Sequence, residues 1–256
     1  MHCNTIIFIP RKTVYGRCPK CRTKSQLEVL SSNPGNEKFK CNMRCGAGLD
    51  QQQHDHAFNP IGGLHHARRN AAGGFCVFND IGNAIIYARK KYNLKKILYV
   101  DIDAHHGDGV YYEFEQDPDL IIADIHEDGS FLYPGTGFES ENGLGAGKGS
   151  KLNLPLQPGA TDSDFISAFM KIENFINSMN FELIIFQCGA DGLSGDPLTH
   201  LRYTEKSHEY AAKALHRVAH DKAHGRIIGL GGGGYNKQNL AIAWKKVVES
   251  FATDQS

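Results

Sequence analysis

Long apolar runs are missing from this 256-residue chain. No stretch approaches the roughly 18 residues that a membrane-crossing helix needs. The run at 6–9 is too brief for a signal-peptide core and has no basic start. These absences predict a cytoplasmic protein with no membrane partner, the nucleus being the other intracellular compartment open to it. Net charge is missing too, since 28 Lys and Arg balance 28 Asp and Glu. No global field therefore points to nucleic acid or acidic partners. Internal repeats and low-complexity segments are also absent, and the composition is that of an ordinary globular protein. An even cysteine count is missing as well: the seven stand at 3, 18, 21, 41, 45, 76 and 188. In a non-secreted chain, close pairs among them suggest metal more than disulfides.

Two textures divide the chain, at 1–56 and 57–256. The first is polar and basic, with nine Lys and Arg against four acids. It carries Cys18-Pro19-Lys20-Cys21 and Cys41-Asn42-Met43-Arg44-Cys45. Two close pairs across such a gap look like a small zinc ribbon, the alternative being free cysteines in a basic tail. From 57 onward helical and strand patterns alternate. Helices are predicted over 79–92, 161–179, 204–221 and 238–251, from apolar residues at helical spacing and capping residues ahead of them. Strands are predicted over 97–102, 120–125, 183–186 and 226–230, continuous apolar runs of the kind found in parallel sheets. The alternation implies an α/β fold with a mainly parallel, doubly wound sheet, whose ligands bind beyond the carboxyl ends of the strands.

Four clusters fall in loops or just after strands: 62–66, 101–108, 189–192 and 231–235. Asp103 and His105 stand two apart after a buried strand, so an extended backbone would aim both the same way. With Asp191 they make a two-carboxylate, one-imidazole set, and three protein ligands with an open position is the arrangement of catalytic zinc. Two anionic ligands leave bound water less acidified, so a nearby base is needed. His65 and His66 are the candidates, against the plainer reading of two structural, hydrogen-bonded rings. The four glycines before Tyr235 lack the residues of a phosphate-binding loop. They would instead let the backbone pass close to a site and present a hydroxyl to an oxyanion. Cys76 and Cys188 read as small core residues.

The ordered segments GGLHHA, GFCVFND, ILYVDIDAHHGDGV, YPGTG, CGADGLSGDP and LGGGGYN resemble the zinc-dependent histone deacetylase superfamily, with its acetylpolyamine amidohydrolases and acetoin-utilisation-type proteins. The resemblance covers about 57–251. It implies a three-layer arginase/deacetylase-like fold and a catalytic Zn2+ held by Asp103, His105 and Asp191. It implies His66 as general base and acid, His65 as electrostatic partner, Asp101 and Asp108 as their orienting acids, and Tyr235 as the group that polarises the scissile carbonyl. Gly74, Phe75 and Tyr133 would line a narrow substrate tunnel, and a K+ would sit at Asp101, Asp103 and His105, with Asp124 beside it. Arginase-like relatives of the fold hold two metals, using acids where this chain has Gly107 and Leu193, so a single metal is expected.

The implied activity is removal of an acetyl or related acyl group from an acyl-lysine protein or an acetylpolyamine-like small substrate. A non-catalytic binding module acting through the basic ribbon is the competing reading. The family's usual amino-terminal region is not recognisable here. Residues 5–9 are the candidate for a flanking strand, and the thin wall suggests a homo-oligomer.

Overall fold

The computed structural model describes residues 7–9, 15–16, 27–28 and 55–253. In chain order the elements are β1 (Ile7–Ile9), β2 (Tyr15–Gly16), β3 (Leu27–Glu28), β4 (His56–Asn59), α1 (Asp80–Tyr92), β5 (Ile97–Asp101), α2 (Asp108–Phe114), β6 (Leu120–Glu127), β7 (Lys151–Leu156), α3 (Asp162–Asn177), β8 (Leu183–Gln187), α4 (Glu205–Lys222), β9 (Ile227–Leu230) and α5 (Lys237–Phe251). Cys18, Cys21, Cys41 and Cys45, where a zinc ribbon is expected, lie outside the described residues.

The main sheet runs β1-β4-β9-β8-β5-β6-β7. All of its pairings are parallel except that of β1 with β4, so the expected flanking strand is Ile7–Ile9 and it runs antiparallel. The two-residue alternation of a strand sends side chains to opposite faces. Leu98, Val100, Ile184 and Phe186 join the core under α3, α4 and α5. Ile97, Tyr99, Leu183 and Ile185 join the core under α1 and α2. Three layers result, and both faces of the central strands are buried, as their unbroken apolar sequences require.

The predicted helices and strands correspond to α1, α3, α4, α5, β5, β6, β8 and β9. Sequence patterns did not mark β4, α2 or β7. Helix α2 has only seven residues and begins after Gly107 with no side-chain cap. Strand β7 carries Lys151, Asn153 and Pro155 because it is the sheet's edge, where a missing amide donor is tolerated. Its Lys151 is buried. Its ammonium is met by the carbonyls of Asp117 at 2.9 Å and Leu120 at 2.5 Å, a tertiary arrangement that no local pattern announces.

Candidate functional site

The site is built where β5, β8 and β9 end. Along β5, Asp101 shares the parity of Ile97 and Tyr99 and so faces the α1–α2 side. The chain then bends rather than continuing as a strand. Asp101 Oδ1 accepts the Asp103 amide at 3.0 Å, and Asp103 Oδ1 accepts the His105 amide at 3.0 Å. Two successive side-chain-to-backbone turns therefore bring Asp103 and His105 to one side, where strand periodicity had been the sequence argument. His106 turns away, its Nδ1 2.9 Å from Thr136 Oγ1 and its ring against His126.

Asp191 arrives from the loop after β8, its Oδ1 accepting the Ala104 amide at 2.8 Å. His105 Nδ1 then lies 3.1 Å from Asp103 Oδ1 and 2.9 Å from Asp191 Oδ2. The ligand atoms of these three residues fall within 4.8 Å of one another. Gly233 closes the cradle: its amide donates to Asp103 Oδ2 at 2.7 Å, and a Cβ there would collide with the carboxylates of Asp191 and Asp103. Two carboxylates this buried and this close demand a positive charge. Burial, then the neighbouring Asp103 carboxylate, raise the Asp191 pKa to about 7. Burial works against a charge on His105, yet the same two acids push its pKa up to about 10. The donor set and its appetite for positive charge fit a divalent cation.

The histidine pair sits beside this set. His65 Nδ1 is 2.7 Å from Asp101 Oδ2, and His66 Nδ1 is 2.7 Å from Asp108 Oδ1. The two rings are 4.1 Å apart, and His66 is 5.8 Å from His105 between centroids. Burial disfavours a charged His65, but Asp101 and Asp103 overcome it and raise its pKa to about 10. Burial and then the charge of His65 lower the pKa of His66, so the two adjacent rings are pushed in opposite directions. The segment is held close by Gly109, where a Cβ would meet the backbone of His65, His66 and Ala67.

Tyr133 packs edge-on against His66 at 5.1 Å, and Phe75 against Tyr235 at 6.1 Å. Phe75 is 83% exposed and marks the mouth, while Tyr235 is 42% exposed. Gly74 has φ +49°, and a Cβ on it would run into the His66 ring. Burial, then the carboxylates of Asp103 and Asp191, push the Tyr235 hydroxyl pKa well up, which keeps it a proton donor.

Three supporting residues escaped sequence reasoning. Gln187 ends β8 and donates to Asp103 Oδ2 at 2.9 Å; its signal was a polar side chain closing an apolar strand. Arg68 Nη2 meets Asp108 Oδ2 at 2.7 Å, and Asp196 accepts the Tyr235 amide at 2.8 Å. Neither had a local signature.

Comparison with known proteins follows the same segments. A family profile described as "Histone deacetylase domain" matches residues 34–251. The Acetoin utilization protein AcuC of Bacillus subtilis (strain 168) is 41% identical over 198 residues, 77% of this chain and 49% of that protein. The AcuC of Staphylococcus aureus (strain MRSA252) is 41% identical over 192 residues, 74% of this chain and 49% of that protein. The chain thus spans about half the length of the curated relatives it matches. Among solved structures, a histone deacetylase homolog from Aquifex aeolicus is similar with TM-score 0.69 and 36% identity, covering 76% of this chain and 51% of that one. A histone deacetylase homolog solved in complex with SAHA gives the same values.

Proposed function

The chain belongs to the histone deacetylase family, and from that premise we propose that it is a zinc-dependent amidohydrolase removing an acetyl or related acyl group from a lysine-like amine. The observation that carries this reading is the convergence of three side chains able to ligate a metal with a His66 ring braced by Asp108.

Asp103, His105 and Asp191 would hold the zinc, which when bound supplies a Lewis acid that acidifies water and polarises the acyl carbonyl. Nε2 of His66 takes the proton of the attacking water and later returns it to the departing amine. Asp108, itself anchored by Arg68, fixes the His66 ring through Nδ1. His65 holds its charge against Asp101 and so keeps His66 uncharged until it accepts that proton. The hydroxyl of Tyr235 donates to the developing oxyanion. Gly74, Phe75 and Tyr133 form the narrow approach, which suits an acylated primary amine on an unbranched alkyl stem, from a protein lysine or a polyamine.

The resemblance also implies a K+ site, and here the acids are already engaged. His65, the Tyr99 hydroxyl and the Asp103 amide meet Asp101, while His126 Nδ1 at 2.7 Å and the Gly107 amide at 2.9 Å meet Asp124. No step needs potassium. A second, structural zinc at Cys18, Cys21, Cys41 and Cys45 remains part of the proposal.

The test is a panel of acyl-lysine peptides and acetylpolyamines incubated with zinc-reconstituted protein, with free amine as the readout. Release from at least one class, blocked by SAHA, is expected. Zinc-loaded protein that releases amine from none of them would refute the reading.

A further inference from the structure

Among the described residues, two groups of side chains bring three ligand atoms within 4.8 Å of one another, and the residues of the second bracket those of the first in sequence. It consists of His56, the first residue of β4, with His216 and His220 of α4. The helical residues stand one turn apart, so both rings leave the same face. Their Nε2 atoms are 3.1 Å apart. Two ring nitrogens at that separation cannot both carry a proton, so one lone pair already points into the cluster. The His56 ring closes the triangle, 4.7 Å from His216 and 5.1 Å from His220 between centroids.

We propose that His56, His216 and His220 form a further metal site, distinct from both the catalytic set and the cysteine pairs, for a zinc-class first-row divalent cation. Nitrogens on one tetrahedral zinc, each at about 2.0 Å, lie about 3.3 Å apart, close to the spacing already present between the helical pair. An all-imidazole set suits zinc, nickel or copper and not magnesium or calcium. Asp55 adds a neighbouring carboxylate: a Cβ on Gly225 would sit 3.1 Å from Asp55 Cβ and 3.5 Å from His220 Cε1. His56 and His216 are buried, while His220 is partly exposed and opens the cluster to solvent.

Position defines the role. His56 begins β4, and the strand runs from there towards the loop carrying His65 and His66. The cluster is therefore at the amino ends of the parallel strands, opposite the catalytic crevice. A cation there ties strand β4, between β1 and β9, to α4 and does not touch substrate.

The experiment uses the full chain, stripped of metal and dialysed against Zn2+. Zinc per chain is measured in the wild type and in folded His220→Gln, with circular dichroism checking the fold. The variant is expected to lose one equivalent, and Asp191→Asn to lose a different one, so that His220→Gln with Asp191→Asn loses both. A second measurement needs no variant: the side-chain 15N resonances of His56, His216 and His220 in the wild type should shift together as Zn2+ is added. Equal zinc content in wild type and His220→Gln, or three rings whose resonances ignore zinc, overturns the site. Neither readout depends on catalysis, so failure here leaves the amidohydrolase reading standing, and failure of that reading leaves this one.

Discussion

His65 and His66 are neighbours in the chain with opposite charge preferences, and the difference comes from the acids behind them. Asp101, fully buried, faces His65, while Asp108 is shared between His66 and Arg68. A base with a lowered pKa stays unprotonated below the ordinary histidine value near 6.5. The acid limb of kcat/KM should therefore lie below that value. Replacing His65 with Gln removes the adjacent cation, lets the His66 pKa rise and moves the acid limb to higher pH. A pH–rate profile of the variant with an unmoved acid limb would mean that His66 is not the titrating base. Asp191→Asn leaves the cradle with one carboxylate and should reduce zinc affinity by at least tenfold, as measured by competition with a chelator.

At the level of elements, helix α5 starts at Lys237, with only its cap Asn236 between it and Tyr235. Asn236 caps it, accepting the amides of Gln238 at 3.0 Å and Asn239 at 3.3 Å. Asn236→Ala should cost about 1 kcal/mol of stability in urea unfolding. It should also slow turnover while leaving zinc content unchanged, because the cap and Asp196 together set where Tyr235 begins. Phe186→Ala in β8 belongs to a different class. It empties a fully buried position under α3–α5 and should cost on the order of 3–5 kcal/mol. A loss below 1 kcal/mol would contradict the assigned packing.

These elements also show what the sequence revealed. Strands β5, β6, β8 and β9 were legible because parallel strands buried on both faces are written in unbroken apolar residues. That the His pair and the group Asp103, His105 and Asp191 would cluster was legible because acids and imidazoles at strand ends have little structural use of their own. Strand β4 and helix α2 were not, being short and defined by what they pair with. The convergence of Asp103 and His105 was expected for a reason the structure replaces, two carboxylate-to-amide turns in place of an extended strand. Gln187, Arg68 and Asp196 act through contacts far away in sequence, which a local pattern does not record.

Seen whole, the molecule places the candidate site at one end of the sheet in a three-layer fold and an imidazole cluster at the other. Among the described residues no helix is long and apolar enough to cross a membrane. The proposed homo-oligomer should appear in light scattering at micromolar concentration as a mass above that of one 28.3 kDa chain. A fully active monomer would remove it. The proposed mechanism has one cation, one imidazole base and one tyrosine hydroxyl cooperate on an amide. It is tested most directly by the rate of acetate release from an acetyl-lysine peptide by zinc-loaded wild type and Tyr235→Phe. Release by the wild type is expected, with a loss of about a hundredfold or more in the variant at unchanged zinc content. Equal rates from the two proteins would contradict it.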